Sequence, residues 1–517
     1  MTRFLVCALL ATMTALGMES TTPGPADQTS LVTFNKDVLP VLQENCQSCH
    51  RPGGIAPMSL LTYDSARPWA KAIKTAVLSK KMPPWFADPH VGKFRNAPKI
   101  TQSQINTLVA WADGGAREGN AADKPADCEW KEGWRIQPDV VVSMPQAYTV
   151  VARGTGEIRE FFVPNPFTED TWVSAMEIRP GDPSVVHHVI VQIPEASGRV
   201  VLTKEAALGP AAVSAQLAAQ EAQLMFVKRL EESQAAQNTG VKRVEGGEIR
   251  VVAGNIQGGT VGSGSYNDVI ARRQERQTGE GVFMTMEAIY APGTTPMDFR
   301  YGNSAKLIKG GKPIRIEVHY TPNGKATTDR TQVAFTLAKG PADRRFVIMA
   351  PEHLVDSRKP IPANKANYET VGELKFNQDA DLVWFMPHMH LRGKDMTYKL
   401  VYPDGHERTV LSVNYNFNWQ LGYELKDPIK ITKGTRMIVT AHHDNSANNP
   451  MNPSPGQVVP WGEMTSQEMM LPWFGVLVNR DAKPETIATY RPGDLDVIKT
   501  NPGNLRVPGT IINVVEK

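Results

Sequence analysis

Cysteine is scarce in this chain: 517 residues carry four. Cys7 lies in an N-terminal apolar stretch, while Cys46 and Cys49 share one short motif. Cys128 is then left without a partner. With Cys7 removed in processing, no structural disulfide is possible, and the fold must rest on its hydrophobic core. Excess charge of one sign is also missing. Lysine and arginine number 56 against 53 aspartates and glutamates, a net charge of +3. That balance makes no case for nucleic acid or an anionic membrane surface as partner. Beyond the N-terminus no uncharged apolar run is long enough to span a membrane, so none is expected after signal cleavage. Histidines number only 11, which makes their placement informative.

What is present begins with a targeting signature. Arg3 precedes an apolar core over 4–16, and Ala15-Leu16-Gly17 supplies small residues for cleavage. Residues 1–20 read as a secretory signal peptide, with a retained N-terminal anchor as the alternative. The expected location is periplasmic or secreted. Glycine (41) and proline (39) suit a β-rich, loop-rich body.

The length allows about three domains. After a polar linker over 21–30, residues 31–119 have helical periodicity. Phe34, Val38, Val41 and Leu42 fall on one face, and Trp69, Ile73 and Val77 repeat at four-residue spacing. Thr101 to Gln104 forms a capping-box pattern before Ile105, Leu108, Val109 and Ala112, and Gly114-Gly115 ends that helix. A polar stretch over 120–138 follows. Then come short β-branched runs bounded by Pro, Gly and Asn, at 140–143, 185–193, 314–320, 331–337, 382–385, 396–402 and 437–440. The fold class expected is an α-helical domain followed by packed, mainly antiparallel β-sandwiches. Residues 200–281, with an Ala/Gln/Glu-rich helical segment and a Gly-rich tail, read as an insertion in the β body.

Cys46-Gln47-Ser48-Cys49-His50 has the spacing for covalent c-type haem: two thioethers to the vinyl groups and an adjacent imidazole as proximal iron ligand. A zinc half-site would need a second ligand pair, and the helical segment has no other cysteine. For the sixth ligand Met82, in Lys81-Met82-Pro83-Pro84-Trp85, is preferred, with Met58 and His90 as rivals.

Five further histidines stand out: His187 and His188, His319, and His388 and His390. Residues two apart in a strand share a face, so His388 and His390 can grip one metal. Adjacent His187 and His188 converge only if a bulge or strong twist intervenes. Buried imidazoles in apolar runs point to metal, and imidazole suits copper, zinc and iron alike.

His187-His188, His319, the His388-x-His390 pair and Glu468-Met469 occur in an order and context that resembles the copper type II, ascorbate-dependent monooxygenases, the peptidylglycine and dopamine β-monooxygenase family. The resemblance covers about 139–517 apart from the insertion. It implies two jelly-roll-like copper domains, over 136–330 and 331–517. His187, His188 and His319 would hold an electron-storing copper, and His388, His390 and Met469 the oxygen-activating one. Met464 and Met470 are rivals to Met469. The family's disulfides are absent. So is the substrate-carboxylate clamp of the amidating members, whose positions here are Met386, Leu471 and Trp473. Arg392 reads as a surface salt bridge, and the His442 to Asn445 cluster as structural support.

The expectation is an exported haem–copper monooxygenase that hydroxylates an activated C–H bond of a small or peptide-like organic substrate held between the domains. It would use dioxygen and an external electron donor, with the fused haem feeding two copper ions. The competing classes are a haem–copper electron carrier or copper-binding protein, and a zinc hydrolase, for which no H-E-x-x-H motif is present.

Overall fold

The computed structural model describes residues 31–54, 56–130, 133–154, 156–196, 249–250, 282–350, 360–462 and 465–490. The signal segment, nearly all of the 200–281 insertion, Cys7 and Met464 lie outside the described residues. The described chain is mostly β-sheet with a few short helices, and no described helix is long and apolar enough to cross a membrane.

The N-terminal helices are Leu39–Asn45, Tyr63–Ala66, Ala70–Leu78 and Gln102–Asp113. Local chemistry sets their starts. Thr101 and Gln104 exchange both bonds of a capping box, as do Thr62 and Ser65. Phe34, Val38, Leu42, Leu60, Ile73, Val77, Leu108 and Trp111 close a small core of their own. Trp69 departs from the helical-face expectation and stays 41% exposed. It ends a 3-10 turn, Arg67–Trp69, ahead of the α-helix, so its angular position is not the one a 3.6-residue repeat assigns.

Two β layers pack in each half of the remaining chain. A ten-stranded sheet runs through both halves. In order it holds Tyr423–Ile431, Ala380–Met389, Met470–Asn479, Arg344–Met349, Ser304–Ile308, Thr171–Arg179, Gln332–Leu337, Val140–Ser143 and Ile249–Arg250. Met297–Asp298 pairs with Thr171–Arg179 beside this path. The halves join where Arg344 and Arg345 pair in parallel with Ser304 and Ala305. Gln332–Leu337, placed by sequence at the start of the second copper domain, pairs instead with Thr171–Arg179 and Val140–Ser143 in the first half.

A four-stranded sheet (Glu157–Val163, Ile314–Tyr320, Val186–Ala196, Val282–Tyr290) faces the first half of the long sheet. Val163, Val189, Val191, Ile316 and Val318 meet Val142, Ile178 and Phe335 across that core. A five-stranded sheet (Glu407–Asn414, Gly393–Val401, Arg436–His443, Tyr368–Phe376, Ala488–Tyr490) faces the second half. Leu374, Tyr398, Val439, Phe385, Phe474 and Val476 fill that core.

Residues 85–96 strap the helical unit to the second half. Ala87 bridges Val413 and Phe94 bridges Leu425, on edge strands of two different sheets. Trp85 and Phe94 close on Tyr423 at 4.9 and 5.7 Å, and Arg95 pairs with Glu424 at 2.6 Å. The strap covers two sheet edges that would otherwise offer unpaired backbone groups.

Candidate metal centre

The first ligand set forms where two antiparallel strands change register. His319 lies opposite His188 and Tyr320 opposite Val186, which leaves His187 as the extra residue of a bulge. The bulge turns two adjacent side chains, which a regular strand sends to opposite faces, towards one point. Their Nδ1 atoms are 3.1 Å apart. The His319 ring sits 5.2 and 4.9 Å from those of His187 and His188. One ligand atom from each of the three lies within 4.8 Å of the others. Gly156 makes room beside them: a Cβ there would stand 3.1 Å from His319 Nε2.

The second set grows from the end of the Ala380–Met389 strand. The ladder stops one residue before His390, and the Glu468 carboxylate takes over. It accepts the backbone N–H of His390 at 3.0 Å and of Arg392 at 2.6 Å. His388 Nε2 is 3.1 Å from Met469 Sδ, and the His388 and His390 rings are 5.4 Å apart. Gln467 O lies 3.1 Å from His390 Nδ1, which leaves His390 Nε2 facing inward. Met470 turns the other way, with its sulfur accepting from Thr370 at 3.3 Å. His443 is buried with Nε2 3.4 Å from the Met469 carbonyl, whereas His442 faces outward to Asp395 at 2.6 Å. Arg392 is not the surface salt bridge expected from sequence. It is 2% exposed and donates to Ser466 O, because Glu468 draws its backbone into the core.

The two sets are neighbours. The His188 and His388 rings are 5.6 Å apart, close to perpendicular, and no organic molecule fits between them. Trp473, one of the positions where a carboxylate clamp is missing, stacks on His388 at 5.2 Å.

Burial keeps these imidazoles neutral. It lowers His319 and His388 to about 4 and holds His187, His188 and His390 well below their ordinary value; neighbouring rings add to the effect at His187, His188, His319 and His390, while the Gln420 hydrogen bond opposes it at His388. Both His319 ring nitrogens and His390 Nε2 are buried without a hydrogen-bond partner. Buried imidazole nitrogens are normally satisfied, and a metal ion would supply what is missing here. Three imidazoles in one set, and two imidazoles with a thioether in the other, fit borderline to soft cations such as copper better than calcium or magnesium.

In the helical unit, the amide of His50 donates to Cys46 O at 2.9 Å, and so does that of Cys49 at 3.1 Å. This turn gathers the motif. Neither cysteine is in a disulfide, and burial, then Cys49, pushes the Cys46 thiol up to about 12. Met58 O lies 3.3 Å from His50 Nδ1, which leaves Nε2 for an iron. Met82 is half-buried, and His90 is exposed with its amide on Asp88 at 2.8 Å.

Several contributors escaped the sequence reading. Gln420 and Phe417 reach the centre from a loop that carries no motif. Arg315 and Glu317 alternate with Ile314, Ile316 and Val318 and share a face with His319. They form a buried ion-pair cluster in which Arg315 meets Glu160 at 2.6 Å. That alternation was visible in the sequence.

No family model matches this chain, and no curated protein does. Among solved structures, similarity is to infectious bursal disease virus. The Gt strain structure is 9% identical over 70% of this chain and 85% of that one, with a TM-score of 0.13. The T13 viral particle is 8% identical over 72% and 87%, with a TM-score of 0.12. Scores this low carry no argument about fold or function.

Proposed function

We propose that this chain is an exported haem–copper monooxygenase resembling the copper type II, ascorbate-dependent family. In this reading a cytochrome c-like unit is followed by two jelly-roll-like copper domains. The observation that carries the proposal is the pairing of two buried, neutral ligand sets, His187/His188/His319 and His388/His390/Met469. Bound copper would supply one-electron redox chemistry with dioxygen and so hydroxylate an activated C–H bond, and the covalent haem would supply electrons.

The chain's own residues do the rest. Glu468 and Gln467 aim His390, and Trp473 fixes the plane of His388. Met386, Leu471 and Trp473 stand where a carboxylate clamp would, and none of them is a cation or hydrogen-bond partner for a carboxylate at that place, which counts against a peptidyl carboxylate as substrate. The strap over 85–96 holds the haem motif's unit against the half that carries His388, which supports an internal electron donor.

A second reading, a haem–copper electron carrier, is favoured by the contact between His188 and His388, which leaves no substrate space there. Oxygen uptake separates the two. Copper-loaded, reduced protein is tested against small compounds with benzylic, allylic or heteroatom-adjacent C–H bonds. The monooxygenase reading expects compound-dependent uptake that Met469→Ala abolishes. Uptake unchanged in Met469→Ala removes Met469 from the oxygen site, and uptake absent with every compound favours the carrier.

A further inference from the structure

We infer that the two ligand sets behave as one electrostatic site, in which copper in either set weakens copper binding in the other, far more for Cu(II) than for Cu(I). This rests on the copper reading above.

The sets touch through their own side chains. The His188 ring, from the first half, and the His388 ring, from the second, are 5.6 Å apart with planes 84° to each other. Both are buried, as are His319 and His390, so no layer of solvent separates the two rings. The ligands are neutral. Neither set contains a carboxylate or a thiolate. Glu468 spends its oxygens on the N–H groups of His390 and Arg392, and Glu317, on the same strand as His319, pairs with Arg315. Ions held here would keep their full charge, and each would face the other across two imidazoles in contact.

The ring contact bounds the repulsion. Allowing about 3 Å from ring centre to ion on each side, the 5.6 Å between the rings limits the two ions to a separation of about 12 Å. At that limit, and with the full screening power of water, two doubly charged ions repel enough to weaken the second about tenfold. Burial removes part of that screening, so tenfold is a floor. Repulsion scales with the product of the charges, so two Cu(I) ions repel about one quarter as strongly as two Cu(II) ions. The loss of affinity for Cu(I) is then about the fourth root of the loss for Cu(II), whatever the separation. The coupling is reciprocal, so each set weakens the other by the same factor. The contact between His188 and His388 thereby favours the reduced pair over the oxidised pair.

The test is copper binding to the full haem-loaded chain by competition with a chelator, once with Cu(II) and once with Cu(I) under reducing, oxygen-free conditions. His319→Ala leaves the second set to be measured alone, and His390→Ala leaves the first. The product of the two wild-type association constants is expected to fall short of the product of the two single-set constants by at least about tenfold for Cu(II). For Cu(I) the shortfall is expected to be about the fourth root of that factor. The wild-type chain gives a second reading that needs no variant and holds if one misfolds: its Cu(II) spin-resonance spectrum broadens as the second equivalent binds. Equal products, a Cu(I) shortfall as large as that for Cu(II), or two unbroadened signals that simply add overturns the inference. Should the wild-type chain take up no copper at all, the copper reading itself fails, which is a separate result.

Discussion

Replacing Glu468 probes how the second ligand set is held. Its carboxyl is fully buried and accepts two backbone N–H groups, from His390 and Arg392, at 3.0 and 2.6 Å. Glu468→Ala leaves both donors buried and unpaired. At about 1–3 kcal/mol for each orphaned donor, the expected loss is about 2–6 kcal/mol before any cavity term. Glu468→Gln keeps one oxygen and is expected to lose about half as much. The pH dependence follows from burial, which raises this carboxyl from 4.5 to about 8. Between those values the folded chain holds the proton more tightly than the unfolded chain. The group's contribution is therefore complete below pH 4.5 and is lost as pH rises through about 8. Glutamine does not titrate, so the stability gap between wild type and Glu468→Gln is widest near pH 4.5 and narrows towards pH 8. Urea unfolding of copper-free protein, followed by tryptophan fluorescence across that range, reads both effects. An alanine variant within about 1 kcal/mol of wild type, or a gap that widens with pH, would refute the reasoning.

Three more outcomes are expected. The buried histidines act in the opposite sense to Glu468. His319 and His388 fall to about 4, so between the unfolded value near 6.5 and about 4 the unfolded chain binds more protons, and metal-free stability drops as pH falls. Each ring is worth roughly 3 kcal/mol over that window, so urea midpoints should fall less steeply when both are replaced. Gly156→Ala pushes a methyl group to 3.1 Å from His319 Nε2, and about 1–3 kcal/mol of overpacking is expected, with weaker copper binding in the first set only. Copper titration in the single-set backgrounds checks this. Arg95→Ala removes a 2.6 Å pair to Glu424 and a stacked contact 4.3 Å over Tyr301, an expected loss of about 1–2 kcal/mol, visible as faster proteolysis after the helical unit.

Much of the β body was legible because its signals are local. The 140–143 and 314–320 runs became Val140–Ser143 and Ile314–Tyr320, and the Thr101 capping box formed as read. The need for a bulge at His187-His188 followed from strand periodicity alone, and the register shift is there. What sequence could not supply was anything set by partners far along the chain. Arg392 looked like a surface charge until Glu468, 76 residues on, drew it inside. Gln420 sits in a loop without a pattern, and its contact with His187 joins residues 233 apart. The contact of His188 with His388 depends on how the two halves share one sheet, which no local period encodes.

The account stands on the two histidine sets holding copper. Metal analysis of the purified, haem-containing chain tests that most directly. Two coppers per haem are predicted, with one lost in His319→Ala and the other in His390→Ala. Zinc in either set, or a chain that binds haem but no copper, would contradict it.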